Sequence, residues 1–379
     1  MDRSMWISLP VVGLLLYGLL GAGSVCFGQA GSPWQSEWEK VVAAARKEGQ
    51  VDVYTGYGPV LDAGVFQKAY PGIKVVGVTG RGGQIAQRIL AERRAEKYLA
   101  DVVMDGPPNT FPNLYRAGAF DAIKPVLILP EILDESKWWQ GRHRYTDPEG
   151  QQIFRFVATP TSGGSHYNTN LVDSKEIKSF WDFLNPKWKG KIITRDIRDP
   201  GPGNGAMRFI YHHPEIGPKF LTRLITEMDI TIFRDVRLGT DWLAQGKFVL
   251  CFFCVDVINA KQRGLPVDSF GPLKEGAGLV SHYGTLGLLN KAPHPNAAKL
   301  FINWFLSRDG QLTLQRSLAA AGDTAPDSLR VDIPKDEVRP DNRRQEGIQY
   351  LDLDMSQERL DFRPILKLFE EALAKAGKK

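Results

Sequence analysis

The sequence predicts an α/β protein whose sheets are mixed, mainly parallel and flanked by helices. Two observations carry this prediction. Short apolar strand patterns alternate with amphipathic helix patterns along the chain, which is typical of parallel sheets covered on both faces. The chain has 379 residues, of which 43% are hydrophobic and 24% charged, and that length usually corresponds to two domains. We therefore expect two α/β units.

The first unit begins with the helix pattern EWEKVVAAARKEG, which places Trp38, Val41, Val42 and Ala45 on one face and ends at Gly49. Alternating strand and helix patterns follow in VDVYTG, VFQKAYPG, IKVVGV, QIAQRILAERRAEKY and ADVVMDG. Ligands of such sheets bind at the carboxyl ends of the strands. The residues of the loops after these strands are therefore candidates for a ligand-binding site.

One of these loops is the glycine-rich turn TGRGG, from Thr79 to Gly83, which precedes a helix starting near Gln84. Its backbone N–H groups and the positive end of the helix dipole predict an anion site, to which Arg81 adds a forked donor. The turn is not a nucleotide motif, because Ile85 stands where a dinucleotide fingerprint requires glycine and no Gly-Lys-Ser/Thr follows. The alternative is a tight turn with Arg81 in solvent.

A second α/β unit follows an irregular segment, ATPTSGGSHYNTN. It contains SFWDFLNPKWKGKIITRD, a glycine-rich loop RDPGPGNGA before another helix, and the strand VLCFFCVDV. Another strand is expected near SHYGTLGLLN, and a helix is predicted from Pro295 to Gly310. The last helix pattern, FRPILKLFEEALAKAG, has an apolar face that includes Ile365 and Phe369. We expect the C-terminal segment to pack across the second unit, and Tyr350 is a candidate for the rim of a cleft.

The strand VLCFFCVDV contains Cys251 and Cys254. Residues three apart in an extended strand lie about 10 Å apart and point to opposite faces, whereas a disulfide requires about 4.4 to 6.8 Å between Cα atoms. We therefore expect two buried free thiols, and a disulfide would require a turn at this point.

The N-terminus has the features of an export signal. After Arg3 the sequence reads ISLPVVGLLLYGLLGAG, and Gly28 and Ala30 occupy the two positions that signal peptidase reads. We predict that residues 1–30 are a cleaved signal peptide and that the mature chain is a soluble periplasmic protein. The alternatives are a retained anchor, since about 17 apolar residues is the lower limit for a spanning helix, and lipidation of Cys26.

Five segments, taken together and in order, carry a family resemblance: EWEKVVAAARKEGQVDVYTG, AERRAEKYLADVVMDG, FWDFLNPKWKGKI, DWLAQGK and APHPNAAKLFINWFLSRDGQ. They span about residues 36–330 and resemble the bacterial extracellular solute-binding protein family 1, the ABC-importer receptors that include iron(III)-binding members. The resemblance implies a two-lobed, periplasmic-binding-protein-like (type II) fold with a cleft between the lobes. It implies three kinds of partner: a small-molecule solute, an ABC permease and its ATPase.

The resemblance also implies discontinuous lobes, so that each lobe is assembled from separate parts of the chain. We expect a monomer that meets the membrane only through the permease. The expected parts are a signal peptide (1–30), lobe 1 in two parts (31–130 and 269–325), lobe 2 (131–268) and a C-terminal strap and helix on lobe 2 (326–379).

Iron(III)-binding members resemble one another in a histidine on the first loop and two adjacent tyrosines after a later strand. The corresponding strand in this chain is VLCFFCVDV. Here the first loop contains Tyr57 but no histidine, and Phe252 and Phe253 replace the tyrosines. Asp105 is the one carboxylate that remains available at the third loop. We therefore expect no metal site and no cofactor, and an iron(III) or ferric-chelate binder is the alternative.

Arginine forks, backbone amides, hydroxyls and aromatic rings suit a small oxyanion or polar organic acid. The net charge of +5, from 48 basic and 43 acidic residues, weakly favours anionic ligands and does not indicate nucleic acid binding. We predict the following ligand-binding residues: Tyr57, Thr79, Arg81, Gly82, Gly83, Asp105, Tyr167, Asn168, Arg195, Asp256 and Tyr283. His166, Asp196, Asn204 and His282 are further candidates.

An exported hydrolase or lyase is the rival class. The sequence contains no Gly-x-Ser-x-Gly elbow, no His-Glu-x-x-His helix and no Ser-x-x-Lys set. We therefore predict no catalytic residues and a protein that binds its solute without turnover. A ligand-sensing ectodomain of a membrane receptor is a third possibility.

Overall fold

The structure is a computed structural model that describes residues 32–80, 83–199 and 203–378. The predicted signal peptide therefore lies outside the described residues. The strands, in chain order, are β1 Gln50–Thr55, β2 Lys74–Thr79, β3 Val102–Asp105, β4 Arg144–Tyr145, β5 Ile153–Arg155, β6 Thr159–Thr161, β7 Ser165–Asn168, β8 Ile192–Arg195, β9 Thr231–Phe233, β10 Leu250–Phe252, β11 Val267–Ser269, β12 Ala277–Val280, β13 Thr285–Leu288 and β14 Tyr350–Asp352.

The helices surround these strands and are separated by short 3-10 and π-helical turns. They are α1 Pro33–Glu48, α2 Gly58–Asp62, α3 Val65–Ala69, α4 Gln84–Arg94, α5 Pro107–Asn109, α6 Pro130–Leu133, α7 Asn204–His212, α8 Gly217–Glu227, α9 Val236–Ala244, α10 Val257–Gln262, α11 Pro295–Leu306, α12 Arg308–Ala320, α13 Gln357–Leu360 and α14 Arg363–Lys375. Along the described chain, no helix combines the length and the apolarity needed to cross a bilayer.

Two mixed sheets form the two halves of the molecule. The first has the strand order β2-β1-β3-β13-β5-β4, and the second has the order β11-β7-β10-β8-β9. Within the first sheet β1 pairs in parallel with β2 and β3, and within the second β8 pairs in parallel with β9 and β10. The predicted α/β fold with mixed sheets flanked by helices is confirmed. We call the half around the first sheet lobe 1 and the half around the second lobe 2.

A small third sheet connects the lobes, with the order β14-β12-β6. The chain passes from lobe 1 to lobe 2 through β6 and returns through β12, while β14 comes from the C-terminal segment and pairs in parallel with β12. Strands β4 and β5 fall inside the range predicted for lobe 2, yet both are hydrogen-bonded into the sheet of lobe 1.

Each lobe has its own apolar core. In lobe 1, α1 buries Val41 and Ala45 while Trp38 and Val42 are partly buried against the same cluster. In lobe 2, the C-terminal helix α14 buries Ile365, Phe369 and Leu373 in the core that also holds residues of α7 and α8. The C-terminal segment thus packs on lobe 2 by its last helix.

The expectation of free thiols is wrong, because Cys251 and Cys254 form a disulfide with 5.9 Å between their Cα atoms. Strand β10 ends at Phe252, and Phe253 has a left-handed φ of 63°. Its backbone N–H donates to the carbonyl oxygen of Gly164 at 2.8 Å. The turn that a disulfide requires is therefore present one residue after the strand.

We expect the double variant Cys251→Ser/Cys254→Ser to lose about 2 kcal/mol of unfolding free energy, since the disulfide closes a short loop and restricts the unfolded chain. Urea unfolding of the wild type and the variant measures this difference. A thiol assay on wild-type protein unfolded without reductant should find no reactive thiol at Cys251 or Cys254. Two reactive thiols there would contradict the assignment.

Candidate functional site

A cavity of about 580 Å³ lies between the lobes, beside the connecting strands β6 and β12. We call it the cleft cavity. Lobe 2 supplies Gly164, Gly203, Asn204 and Phe253 to its walls, and Pro108 and His282 come from the loops after β3 and β12. Both lobes and the connection between them therefore contribute to the walls of one cavity.

The lobe 2 wall is built around the first turn of α7. Gly203 precedes the helix with a left-handed φ of 97°, and a Cβ at this position would lie 2.7 Å from the Cβ of Phe253. A Cβ on Gly164, whose φ is 62°, would lie 3.0 Å from the ring of the same phenylalanine. Glycine is thus required at both positions for backbone conformation and for close approach.

The start of α7 has the electrostatics of an anion site. The first N–H groups of a helix have no partner within it, and the dipole places positive charge there. Oδ1 of Asn204 is buried and has no hydrogen-bond partner among the described residues. The first-turn N–H groups of this wall can therefore meet an oxyanion, and Oδ1 of Asn204 can accept a hydrogen bond from a donor group of the same solute.

The lobe 1 wall follows strand β3. Asp105, fully buried at the end of the strand, accepts hydrogen bonds at Oδ1 from the N–H of Gly106 (2.7 Å) and Nδ2 of Asn109 (3.1 Å). Its Oδ2 has no partner in the described chain. Burial raises the pKa of Asp105 to about 6, although these two hydrogen bonds act in the opposite direction.

His282 is held against the same wall by backbone geometry. It has a left-handed φ of 50°, and a Cβ on Gly106 would lie 2.4 Å from its carbonyl oxygen. The loops after β3 and β12 are therefore in direct contact. This contact brings Pro108 and His282 together at the cavity.

The C-terminal segment closes the cavity from the third side. Asp354, which follows β14, is paired with Arg208 of α7 at 3.0 Å and accepts the N–H of Ser281 at 2.6 Å. Arg155 of β5 donates to both carboxylate oxygens of Asp352 at 2.6 Å. Buried ion pairs therefore tie this segment to lobe 1, to lobe 2 and to the connection between them.

A neighbouring cavity of about 700 Å³ adjoins the cleft cavity and shares Thr161, Gly164, Cys254 and Arg339 with it. We call it the side cavity. Its own walls include His166 and Asp256, and Tyr350 from β14. The two cavities together form a continuous groove along the connecting strands.

The predicted residues of lobe 1 lie at the edges of the cleft cavity or behind it. Tyr57 is buried, and its ring meets that of Tyr283 edge to face at 5.4 Å. Thr79 is exposed at the end of β2, and Gly83 caps α4. Asp105 lies three residues before Pro108, which does line the cavity. Arg81 and Gly82 lie outside the described residues.

The predicted residues of lobe 2 have structural partners. The ring of Tyr167 packs on Phe270 at 4.4 Å between centroids, and Asn168 is buried, with Nδ2 donating to the carbonyl of Leu243 at 2.7 Å. Arg195 is buried at the end of β8 and donates to the carbonyl of Asp199 at 3.0 Å. Asp256 lines the side cavity rather than the cleft cavity.

Sequence reasoning missed several lining residues. Of the further candidates, Asn204 and His282 do line the cleft cavity, while Asp196 is paired with Arg198 and Arg234. The two adjacent glycines of TSGGSHY could have indicated that Gly164 lies at a close backbone approach in the cavity wall. Nothing in the local pattern indicated Arg339, because it reaches the cavity from the C-terminal segment.

Sequence reasoning also missed a cluster at the far end of lobe 1. There Asp52, Asp101 and His294 bring ligand-type atoms within 4.8 Å of one another. Nδ1 of His294 lies 2.9 Å from Asp101 and 3.3 Å from Asp52. Asp101 also accepts the N–H groups of Asp52 and His294, both at 2.7 Å, so the cluster ties β1 to the start of α11.

No protein-family model matches the chain. Solved structures of binding proteins are similar in fold. A ferric binding protein of Bordetella superposes with a TM-score of 0.61 at 18% identity, over 86% of this chain and 99% of that one. The Trichodesmium protein IdiA (FutA), in complex with iron and citrate, gives 0.59 at 17% identity, over 87% and 100%.

A third similar structure is the periplasmic binding protein AfuA of Actinobacillus pleuropneumoniae with exogenous fructose-6-phosphate bound. Its TM-score is 0.57 at 18% identity, and the match covers 87% of this chain and 99% of that one. Such likenesses establish that this chain has the two-lobed fold of periplasmic binding proteins. The Bordetella and Actinobacillus structures are those of binding proteins.

Proposed function

We propose that the protein is an exported solute-binding receptor of an ABC importer, which captures a small, polar, anionic solute between its lobes and delivers it to the permease. The observation that carries this proposal is the cleft cavity of about 580 Å³, whose walls come from both lobes and from the strands that connect them. A solute that touches both walls binds the closed arrangement of the lobes more tightly than an open one. It would therefore shift the population toward closure.

The anionic character of the solute rests on the wall at α7. The first turn of α7 lines the cavity with its N–H groups and the positive end of the helix dipole, and Oδ1 of Asn204 adds an acceptor for a hydroxyl of the same solute. This combination favours phosphate, sulfate or carboxylate groups. Arg208 and Arg339 add positive charge to the lining, although Arg208 is already paired with Asp354.

A bare ferric ion is a weaker alternative, because iron(III) prefers anionic oxygen ligands. Phe252 lies in the core of lobe 2, and Phe253 presents a hydrocarbon ring to the cleft cavity. The described lining contains no tyrosine and one carboxylate, Asp354, which is occupied by Arg208. A ferric chelate, in which a polyanionic ligand holds the iron, would bind the same hydrogen-bond donors as the solute that we propose.

A binding role without turnover also agrees with the polar groups of the cavity. No serine or cysteine thiol in its described lining stands as a nucleophile, since Cys254 is in the disulfide. We infer that the protein has no enzymatic activity. The same fold and the predicted export signal support a periplasmic location.

The test is a thermal-shift screen of phosphates, phosphonates, sugar acids, amines and ferric chelates, followed by calorimetry on the best ligand. We expect one anionic compound to raise the melting temperature. Asn204→Ala should then weaken its binding about fivefold, which corresponds to the loss of one hydrogen bond of about 1 kcal/mol.

The matched control is Asn113→Ala, because Asn113 is exposed and lines neither the cleft cavity nor the side cavity. It should leave the affinity unchanged. If only amines stabilise the protein, or if both variants bind the ligand as the wild type does, the proposed site is wrong. Turnover of the bound compound would favour the hydrolase or lyase alternative.

The predicted contact of Arg81 with a negative group of the solute belongs to the same proposal. Arg81 stands between two glycines before α4 in the sequence. Arg81→Ala should weaken binding of the identified ligand, and an unchanged dissociation constant would make Arg81 a surface residue.

A further inference from the structure

A third cavity, of about 670 Å³, lies in lobe 1 between strand β4 and the C-terminal segment. We call it the arginine cavity. Its walls include Arg142, Arg144, Tyr145 and Thr146 from the chain around β4, and Asp352 from the end of β14. It shares no lining residue with the cleft cavity. A ligand in it would therefore be separate from the solute proposed above.

Arg144 is the central group of this cavity. Its side chain is buried, with 5% of the residue exposed, and its guanidinium lies over the ring of Trp139 at 4.4 Å. It donates to the carbonyl of Trp139 at 3.3 Å and to Oε1 of Gln140 at 2.5 Å. These bonds use two of its five N–H groups, and both acceptors are neutral.

No carboxylate in the described chain forms an ion pair with Arg144. Its neighbour across the β4–β5 pair is a second buried arginine, Arg155, which holds both oxygens of Asp352. The other acidic residue of the wall, Asp147, accepts three backbone N–H groups of residues 151–153. The two nearby carboxylates are thus engaged, and among the described residues Arg144 is a buried cation without an anionic partner.

The charges around Arg144 are mostly of its own sign. Burial lowers its pKa to about 10, and repulsion by Arg142, Arg155 and Arg344 acts in the same direction, against attraction by Asp352 alone. A buried charge without compensation is costly for the folded state. An anion in the cavity would relieve that cost.

Two hydroxyl groups complete the donor set. The hydroxyl oxygens of Tyr145 and Thr146 are buried, and neither has a hydrogen-bond partner among the residues that the structure describes. Burial raises the pKa of Tyr145, so the phenol stays protonated and can donate. Buried polar groups normally have partners, so orphaned hydroxyls beside a cation indicate a ligand that accepts hydrogen bonds.

We propose that the arginine cavity is a second binding site, which takes a small oxyanion such as phosphate between Arg142, Arg144 and the hydroxyls of Tyr145 and Thr146. The guanidinium groups supply charge-assisted hydrogen bonds to the oxyanion. Arg155 and Asp352 form the adjacent ion pair that joins this site to the C-terminal segment. The site does not depend on the identity of the cleft solute.

The probe is inorganic phosphate, titrated into the purified protein by calorimetry at constant ionic strength. We expect binding to the wild type and a loss of at least about tenfold in affinity for Arg144→Gln, which removes charge-assisted hydrogen bonds. Arg142→Gln should weaken binding by a few-fold, and its exposed position makes it the decisive variant should Arg144→Gln fail to fold.

Two controls separate this site from the cleft cavity and from general surface charge. Arg223→Gln changes an exposed arginine paired with Glu227 on α8 and should leave phosphate binding unchanged. Phosphate binding that is lost in Asn204→Ala and kept in Arg144→Gln belongs to the cleft cavity and would overturn the proposal. Phosphate that fails to bind the wild type, or that binds Arg142→Gln and Arg144→Gln as tightly as the wild type, would overturn the proposal.

Discussion

Replacing Arg208 by methionine is expected to lower the free energy of unfolding by about 3–5 kcal/mol, because the change leaves its buried partner without compensation. Arg208 is 6% exposed and Asp354 is 2% exposed. Both terminal nitrogens of Arg208 lie 3.0 Å from Oδ1 of Asp354, and its Nε donates to the carbonyl of Arg359 at 2.6 Å. Urea unfolding at neutral pH measures the loss.

The matched control is Arg223→Met. Arg223 and Glu227 form a pair of the same type on α8, but both side chains are more than 40% exposed, so the loss should stay below about 1 kcal/mol. A double variant, Arg208→Met/Asp354→Leu, should recover part of the stability because it removes the uncompensated charge. Equal losses of unfolding free energy in Arg208→Met and Arg223→Met would show that burial of the ion pair does not determine its contribution to stability.

The Arg208 pair also bears on the proposed closure of the lobes. It fixes α7, whose first turn lines the cleft cavity, to the segment after β14, and the N–H of Ser281 next to β12 binds the same carboxylate. Arg155 fixes that segment to lobe 1 through Asp352. The C-terminal segment is therefore a third connection between the lobes, in addition to β6 and β12.

The first α/β unit could be predicted from the sequence because its signals are local. The strand patterns VDVYTG, IKVVGV and ADVVMDG correspond to β1, β2 and β3, and the face of α1 predicted from its periodicity is the one that packs on the core. Periodicity of side chains along one segment is enough to specify which face is buried. No information about other parts of the chain is needed for that step.

The disulfide could not be predicted in this way. The apolar run VLCFFCVDV reads as one continuous strand, but the strand ends at Phe252 and Phe253 adopts a left-handed conformation. That conformation is unfavourable for phenylalanine in isolation. It is accompanied here by tertiary contacts with Gly164 and Gly203, which are distant in sequence.

The lining of the cleft cavity could likewise be predicted only in part from local sequence. Loops after parallel strands were expected to border a cleft, and Pro108 after β3 lines the cleft cavity. The residues at its surface also include Arg339 and Asp354 from the C-terminal segment. Their position depends on the pairing of β14 with β12 and on ion pairs across about 150–200 residues of chain. Such pairings have no signature in the local sequence.

Asp105→Asn is expected to raise the free energy of unfolding at pH 7.5 by about 1–3 kcal/mol. Burial raises the pKa of Asp105 from 3.8 to about 6, a shift worth about 3 kcal/mol at most, because each unit corresponds to about 1.4 kcal/mol. Asparagine can still accept from Gly106 and Asn109 without the buried charge. Its own unpaired N–H groups reduce the gain.

The dependence on pH follows from proton binding. Between pH 3.8 and about 6 the folded state holds more protons at Asp105 than the unfolded state does. Stability therefore falls as pH rises through this window, and the full penalty is present above it. Urea unfolding should show a clear advantage of Asp105→Asn at pH 7.5 and little advantage at pH 4. The exposed control Asp323→Asn should change little at either pH.

If Asp105→Asn raised the free energy of unfolding equally at both pH values, ionisation of the buried Asp105 would not be the cause of the stability difference. Retention of a costly buried carboxylate beside a cleft is expected where the group serves binding, since stability and function often conflict at such sites. If Asp105 contacts the solute, Asp105→Asn should gain stability and lose affinity together. A variant that gains stability and keeps full affinity would show that Asp105 makes no contact with the ligand.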